Sequence, residues 1–64
     1  MDMIRLMEIT GMTMKELHQI PKVALYNIIN ALEDRLYGTF MLRKDREEVK
    51  YQIMCYNELM LTAK

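Results

Sequence analysis

Cysteine and histidine are almost absent from this sequence, and their scarcity excludes several classes of protein. The 64 residues include one cysteine, Cys55, and one histidine, His18. A single cysteine cannot form an intramolecular disulfide, and these two residues are not spaced as zinc ligands. Both also lack the partners that would make them a catalytic nucleophile or base. We therefore predict a cytoplasmic protein with a buried Cys55, no metal, no cofactor and no enzymatic activity.

Glycine, net charge and long apolar runs are scarce as well. Two glycines cannot build a phosphate-binding loop, and nine acidic residues balance the nine lysines and arginines. A protein of zero net charge is not drawn to nucleic acid as a whole, so such a function would need a local cluster of cations. The longest uncharged run, Val23 to Leu32, is far too short to span a bilayer, and no leader pattern opens the chain. The sequence predicts no contact with a membrane.

Apolar residues, by contrast, are plentiful. They make up 52% of the sequence, which is enough to fold one small domain over residues 1–64. Eight of them are methionines. Methionine fills irregular gaps in a core and also supplies adaptable contact surface, and the core role is the more common of the two.

Three helices are predicted in the first part of the chain. Apolar residues recur at helical spacing over about residues 3–10, where Gly11 ends the first helix. Thr13 and Glu16 form a capping box that begins a second helix at Met14, which ends near Gln19. Pro21 opens the third helix, which runs to about residue 36. Its predicted buried face consists of Leu25, Ile28, Ile29, Leu32 and Leu36.

The residues after Gly38 predict a β-hairpin. Thr39 to Arg43 include a β-branched residue and an aromatic one, and their apolar side chains alternate along the chain. A polar turn follows from Lys44 to Glu47. Apolar and polar side chains alternate again over residues 49–54, as in a half-buried strand. The two strands would pair with each other.

A helix is the alternative for the same region. Asp45 and Glu48 are spaced to cap a helix at this point. Its apolar stripe would consist of Val49, Ile53, Tyr56 and Met60. We favour the hairpin because the β-branched and aromatic residues of the Val-Lys-Tyr-Gln-Ile segment suit a pleated surface. The predicted fold class is mainly α with a small β-hairpin, and an all-α small helical bundle is the alternative.

The order of three helices followed by a basic hairpin resembles the winged helix-turn-helix regulators of bacteria and phages. The similarity covers Met12 to Ile53. It is carried by Thr13-Met-Lys-Glu-Leu17, Leu25-x-x-Ile28-Ile29-x-x-Leu32-Glu33 and Arg43-Lys-Asp-Arg-Glu-Glu-Val49-Lys-Tyr51-x-Ile53. The resemblance implies a sequence-specific transcription regulator that binds double-stranded DNA, with its third helix in the major groove and its hairpin on the phosphate backbone.

The outward face of the third helix would supply the base contacts of such a regulator. Asn27 and Asn30 can each hydrogen-bond adenine, and Val23 can touch a thymine methyl group. The phosphate contacts would come from Lys22, Arg43, Lys44, Arg46 and Lys50. A plain solvated helix face, with the hairpin cations paired to neighbouring acids, is the alternative.

Partners follow from the small size of the domain. One copy covers too little DNA for high specificity, so we expect a homodimer on two half-sites. The apolar residues expected to form the dimer interface are Tyr56, Leu59, Met60 and Leu61. An alternative from a different class is a small phage-type or regulatory protein that binds and inhibits a host protein through a Met-rich apolar surface. Zero net charge and eight methionines favour that alternative.

Overall fold

Four α-helices make up the structure, a computed structural model that describes residues 2–64. They are α1 (Ile4–Thr10), α2 (Met14–His18), α3 (Lys22–Gly38) and α4 (Arg43–Met60). No strand occurs within residues 2–64. The predicted fold class, a winged helix-turn-helix with a β-hairpin, is therefore wrong, and the structure agrees with the alternative, an all-α small helical bundle.

The two short helices begin and end where the sequence predicts. Gly11 follows α1 with a positive φ of 69°, and its backbone N–H donates to the Met7 carbonyl at 2.8 Å. A side chain is strained in this left-handed conformation, whereas glycine adopts it freely. At the start of α2 the Thr13 hydroxyl accepts from the Glu16 N–H at 3.1 Å, and the Glu16 carboxylate accepts from the Thr13 N–H at 3.0 Å. The capping box is confirmed.

Removal of this cap should weaken α2. We expect Thr13→Ala to cost about 1 kcal/mol of unfolding free energy, because the Glu16 N–H loses its acceptor. The Thr13 backbone N–H and, to a smaller extent, the Thr13 hydroxyl hold the pKa of Glu16 below its ordinary 4.5. Alanine keeps the N–H, so the variant should raise that pKa only in part. A lowered carboxyl pKa stabilises the fold above the unfolded-state value and stops doing so as the pH falls through the folded value. Denaturation at several pH values and NMR titration of Glu16 check both effects, and an unchanged unfolding free energy would contradict the cap.

The long helix α3 buries the predicted apolar stripe. Leu25, Ile29, Leu32 and Leu36 are all buried, and Ile28 is half-buried against the same core. These positions recur every three or four residues, so they share one side of a helix. The prediction is confirmed in register, which fixes the side of α3 that faces away from the core.

The region predicted as a hairpin is instead a four-residue link, 39–42, followed by α4. The helix starts at Arg43, earlier than the helical alternative proposed, and Asp45 lies in its first turn without acting as the cap. Val49, Tyr56 and Leu59 are buried at helical spacing together with Cys55. The eighteen-residue helix α4 buries its apolar stripe against α3, and this burial outweighs the local β-preference of residues 49–53.

Helices α3 and α4 pack antiparallel and form the main pairing of the fold. At one end the Lys22 N–H donates to the Lys64 carbonyl at 2.8 Å. At the other end the Arg46 guanidinium donates to the Leu36 carbonyl at 3.3 Å. These bonds satisfy backbone groups that helix ends leave without an intrahelical partner.

Helix α1 packs against α4 on the side of α4 that carries Tyr51. The Tyr51 hydroxyl donates to the Asp2 carbonyl at 3.0 Å, and the Arg5 guanidinium carbon lies 5.1 Å from the centre of the Tyr51 ring. Met3 and Leu6 are buried in the common core with Leu17 of α2. One edge of α4 is thus covered, whereas the other remains open beside α3.

Within the described part of the chain, no helix combines the length and the apolar character that crossing a membrane requires.

Candidate protein-interaction surface

Large apolar side chains lie on the surface as well as in the core. Two depressions run along the groove between α3 and α4, on the side that α1 does not cover. Most of the apolar side chains around them are over half exposed, namely Val23 (69%), Tyr26 (58%), Tyr37 (78%) and Met54 (57%). The helical spacing that buries Leu25 and Leu36 places Val23, Tyr26 and Tyr37 together on a neighbouring side of α3. We refer to this surface as the α3–α4 face.

The first depression lies at the N-terminal end of α3. Val23, Tyr26 and Met60 form its apolar walls, and Lys22 and Lys64 flank it. The hydrogen bond between the Lys22 and Lys64 backbones holds these two residues side by side. This end of the face therefore combines an apolar hollow with two cations.

The second depression lies about three turns further along α3, beside the middle of α4. Leu36, Tyr37, Ile53 and Met54 supply its apolar surface. Its charged residues, Glu33 and Lys50, stand at its edge on opposite helices. Leu36 belongs to the core and Ile53 packs against it, so the floor of this depression is continuous with the core.

Polar groups border the second depression on the side of α3 that faces away from α4, and the two share Glu33 and Tyr37. Asn30, Glu33, Asp34 and Tyr37 line a shallow polar recess on α3. Asn30 and Asp34 are exposed, whereas Glu33 is half-buried. On this face, the acids Glu33 and Asp34 make the C-terminal half of α3 negative, in contrast to the cations at its N-terminal end, and Arg35 lines a different depression.

The link between α3 and α4 exposes a further apolar pair. Phe40 is 92% exposed and Leu42 is 67% exposed, although both lie in a short connection with only Met41 packed against the core. These two side chains lie just after the C-terminal end of α3.

All four predicted DNA-contact residues of α3 are on its surface. Lys22, Val23, Asn27 and Asn30 are exposed, so the predicted outward face is confirmed as an outward face. Val23 and Asn30 share it with Glu33 and Asp34 and with two tyrosines, Tyr26 and Tyr37, which the sequence prediction did not include. The signal for Tyr26 and Tyr37 was present, since both are large apolar residues lying off the buried stripe.

The predicted phosphate-binding residues of α4 do not form one cluster on the surface. Arg43 and Lys44 are exposed in its first turn, whereas Arg46 is half-buried and donates to the Leu36 carbonyl. Lys50 lies beside the second depression. With the helices antiparallel, the first turn of α4 lies by the C-terminal end of α3, roughly 25 Å along the helix axis from Lys22.

The residues predicted for a dimer interface divide between core and surface. Tyr56 and Leu59 are 5% and 2% exposed and belong to the core of the single chain. Met60 is half-buried in the wall of the first depression, and Leu61 is 77% exposed. Only Met60 and Leu61 therefore present surface to a partner.

Two phenol groups with perturbed titration lie away from the α3–α4 face. Loss of solvation raises the pKa of Tyr51, and the neighbouring Cys55 thiol adds to the effect. Burial likewise raises the pKa of Tyr56. These shifts follow from packing around α4.

No group of three or more metal-ligating side chains comes together within residues 2–64. No family model, curated protein or solved structure matches the chain.

Proposed function

We propose that this chain is a small protein-binding module whose α3–α4 face receives an apolar surface of another protein molecule. The observation that carries this proposal is the exposure of Val23, Tyr26, Tyr37 and Met54, each by more than half, along one continuous face. A contiguous apolar area rimmed by polar groups is characteristic of a contact surface.

The composition of the face supports a specific contact. Tyrosine and methionine are enriched in the centres of protein interfaces, because they offer large apolar area with a polar or polarisable group. The core of the chain is already filled by other residues, so folding does not require Tyr26 or Tyr37 at the surface. Their hydroxyl groups and the Asn30 amide would set the orientation of the partner.

Site-specific photo-crosslinking in the native cells tests this role. We expect benzoylphenylalanine in place of Tyr26 or Tyr37 to form a discrete protein adduct, because both side chains are aromatic and exposed on the face. The matched control replaces Glu8, an exposed residue of α1 away from the face, and should give no adduct. Equal adducts at all three positions, or none at any, would contradict the proposal.

DNA binding is the second candidate function. It is favoured by the three-residue link, 19–21, between α2 and α3, which is the length found in helix-turn-helix pairs, and by the exposure of Asn27 and Asn30. Against it, Glu33 and Asp34 border Asn30 and would repel phosphate. Arg46 is engaged with the Leu36 carbonyl rather than free at the surface.

Salt dependence separates the two functions. We expect at most weak binding to random duplex DNA, because the face of α3 carries acids and the net charge is zero. Fluorescence anisotropy over a series of salt concentrations measures this. The DNA-binding role would instead be established by an affinity that falls steeply as salt is added, together with a lower affinity of Asn27→Ala or Asn30→Ala for a preferred sequence.

A further inference from the structure

We propose that the protein which occupies the α3–α4 face is a second copy of this chain, with the two α3 helices antiparallel across a two-fold axis near Asn30. This inference rests on the proposed function, since it names the partner of the same surface. The order of side chains along α3 is complementary to itself when the helix is turned end to end.

The apolar and polar positions match under that rotation. Asn30 is the midpoint of α3, eight residues from either end. With the axis there, Val23 lies opposite Tyr37 of the second copy, and Asn30 lies opposite its own counterpart. An isologous contact of this kind uses one patch on both subunits and makes every off-axis pair twice.

The hollows and projections match as well. Tyr37 is 78% exposed and projects from the surface. The rotation places it over the first depression of the second copy, whose walls are Val23, Tyr26 and Met60. Each copy thus supplies one ring and one apolar hollow, and burial of a tyrosine ring in such a hollow is a strong source of interface stability.

The charges on the face are complementary in the same arrangement. The N-terminal end of α3 carries Lys22, with Lys64 beside it, and the C-terminal half carries Glu33 and Asp34. End-to-end rotation brings the cations of one copy within about one helical turn of the acids of the other, a separation that a lysine side chain spans. The Tyr26 hydroxyl comes opposite the Asp34 carboxylate, which can accept its hydrogen bond. A parallel arrangement would instead set like charges against each other.

Sedimentation of charge-reversed variants, alone and mixed, tests the proposal. Wild-type protein should shift from monomer to dimer over about a hundredfold range of concentration. Lys22→Glu and Asp34→Lys should each weaken dimerisation about tenfold, because either change makes two like-charge contacts across the axis. An equimolar mixture of the two variants should recover wild-type association, because both contacts in the mixed dimer then join opposite charges.

The matched controls are Lys15→Glu and Glu8→Lys, which change the net charge equally at exposed positions on α2 and α1. These should dimerise like the wild type, alone or mixed. All four substitutions are at exposed sites, and recovery upon mixing cannot come from unfolded chains. Circular dichroism verifies that each variant is helical.

The outcomes separate this inference from the proposed function. A wild-type monomer at every concentration, or charge-reversed variants that dimerise like wild type, would overturn self-association. If crosslinks from Tyr26 and Tyr37 then appear at a mass other than twice that of the chain, protein binding stands and a different protein is the partner. Crosslinks at twice the mass, with recovery in the mixed sample, support both conclusions.

Discussion

Leu25→Ala is expected to unfold a large fraction of the protein. Leu25 is fully buried as the first residue of the α3 stripe, so truncation removes its apolar contacts and leaves a cavity. Such changes cost about 2 to 5 kcal/mol. A domain of this size has a total stability of roughly 3 to 10 kcal/mol, so the loss approaches the whole. Urea denaturation followed by circular dichroism measures the difference in unfolding free energy.

Leu61→Ala provides the matched control for this change. Leu61 has the same side chain and is 77% exposed directly after α4. Its truncation removes little buried area and should change stability by less than about 0.5 kcal/mol. Similar losses for the two variants would mean that Leu25 is not buried in the core, and the orientation of α3 would have to be revised.

Lys50→Pro should destabilise the protein nearly as much, because it breaks α4. In the predicted hairpin, Lys50 would instead be an outward-facing strand residue. Proline inside a helix removes a hydrogen bond and clashes with the preceding turn, at a cost of about 3 kcal/mol or more. Lys50 is exposed, so the loss cannot be attributed to burial. Helix content and unfolding free energy both report the effect.

Two variants isolate the role of the helix. Arg43→Pro places proline at the first position of α4, where its missing N–H and fixed φ are tolerated, and the fold should persist. Lys50→Ala removes the same charge as Lys50→Pro but keeps helix propensity, so its stability should remain close to wild type. A stable, folded Lys50→Pro protein would argue against the continuous helix.

Local signals were sufficient for the first three helices. The Thr13–Glu16 box and Gly11 act through hydrogen bonds and φ values of nearby residues, so their effects are readable from a few letters of sequence. The stripe of α3 spans several turns with one period, and strand geometry cannot place those residues on one side. Boundaries and burial therefore followed from the pattern alone.

The final helix was harder to predict, for a physical reason. Val49, Tyr51 and Ile53 alternate with polar residues as in a strand. Val49 and Ile53 are also four residues apart, which places them on one side of a helix. The deciding contribution is the packing of Cys55, Tyr56 and Leu59 against other elements, a tertiary effect that no short window contains. Prediction of a hairpin followed from local preference, which distant contacts override.

The candidate surface was predicted in part. The outward position of Asn27 and Asn30 follows directly from the buried stripe, and both are exposed. The hollows beside Met60 and Met54 require the antiparallel approach of α4, which the hairpin prediction removed. Arg46 illustrates the same limit, because only the folded chain brings its guanidinium to the Leu36 carbonyl.

The complete burial of Cys55 gives the protein an internal reporter of its own motions. A thiol without solvent contact reacts with an alkylating reagent only when the surrounding helices separate. Where closing is faster than modification, the labelling rate measures the equilibrium population of opened molecules. Because this is the one thiol in the sequence, mass spectrometry of the intact chain can follow that opening without any engineered label.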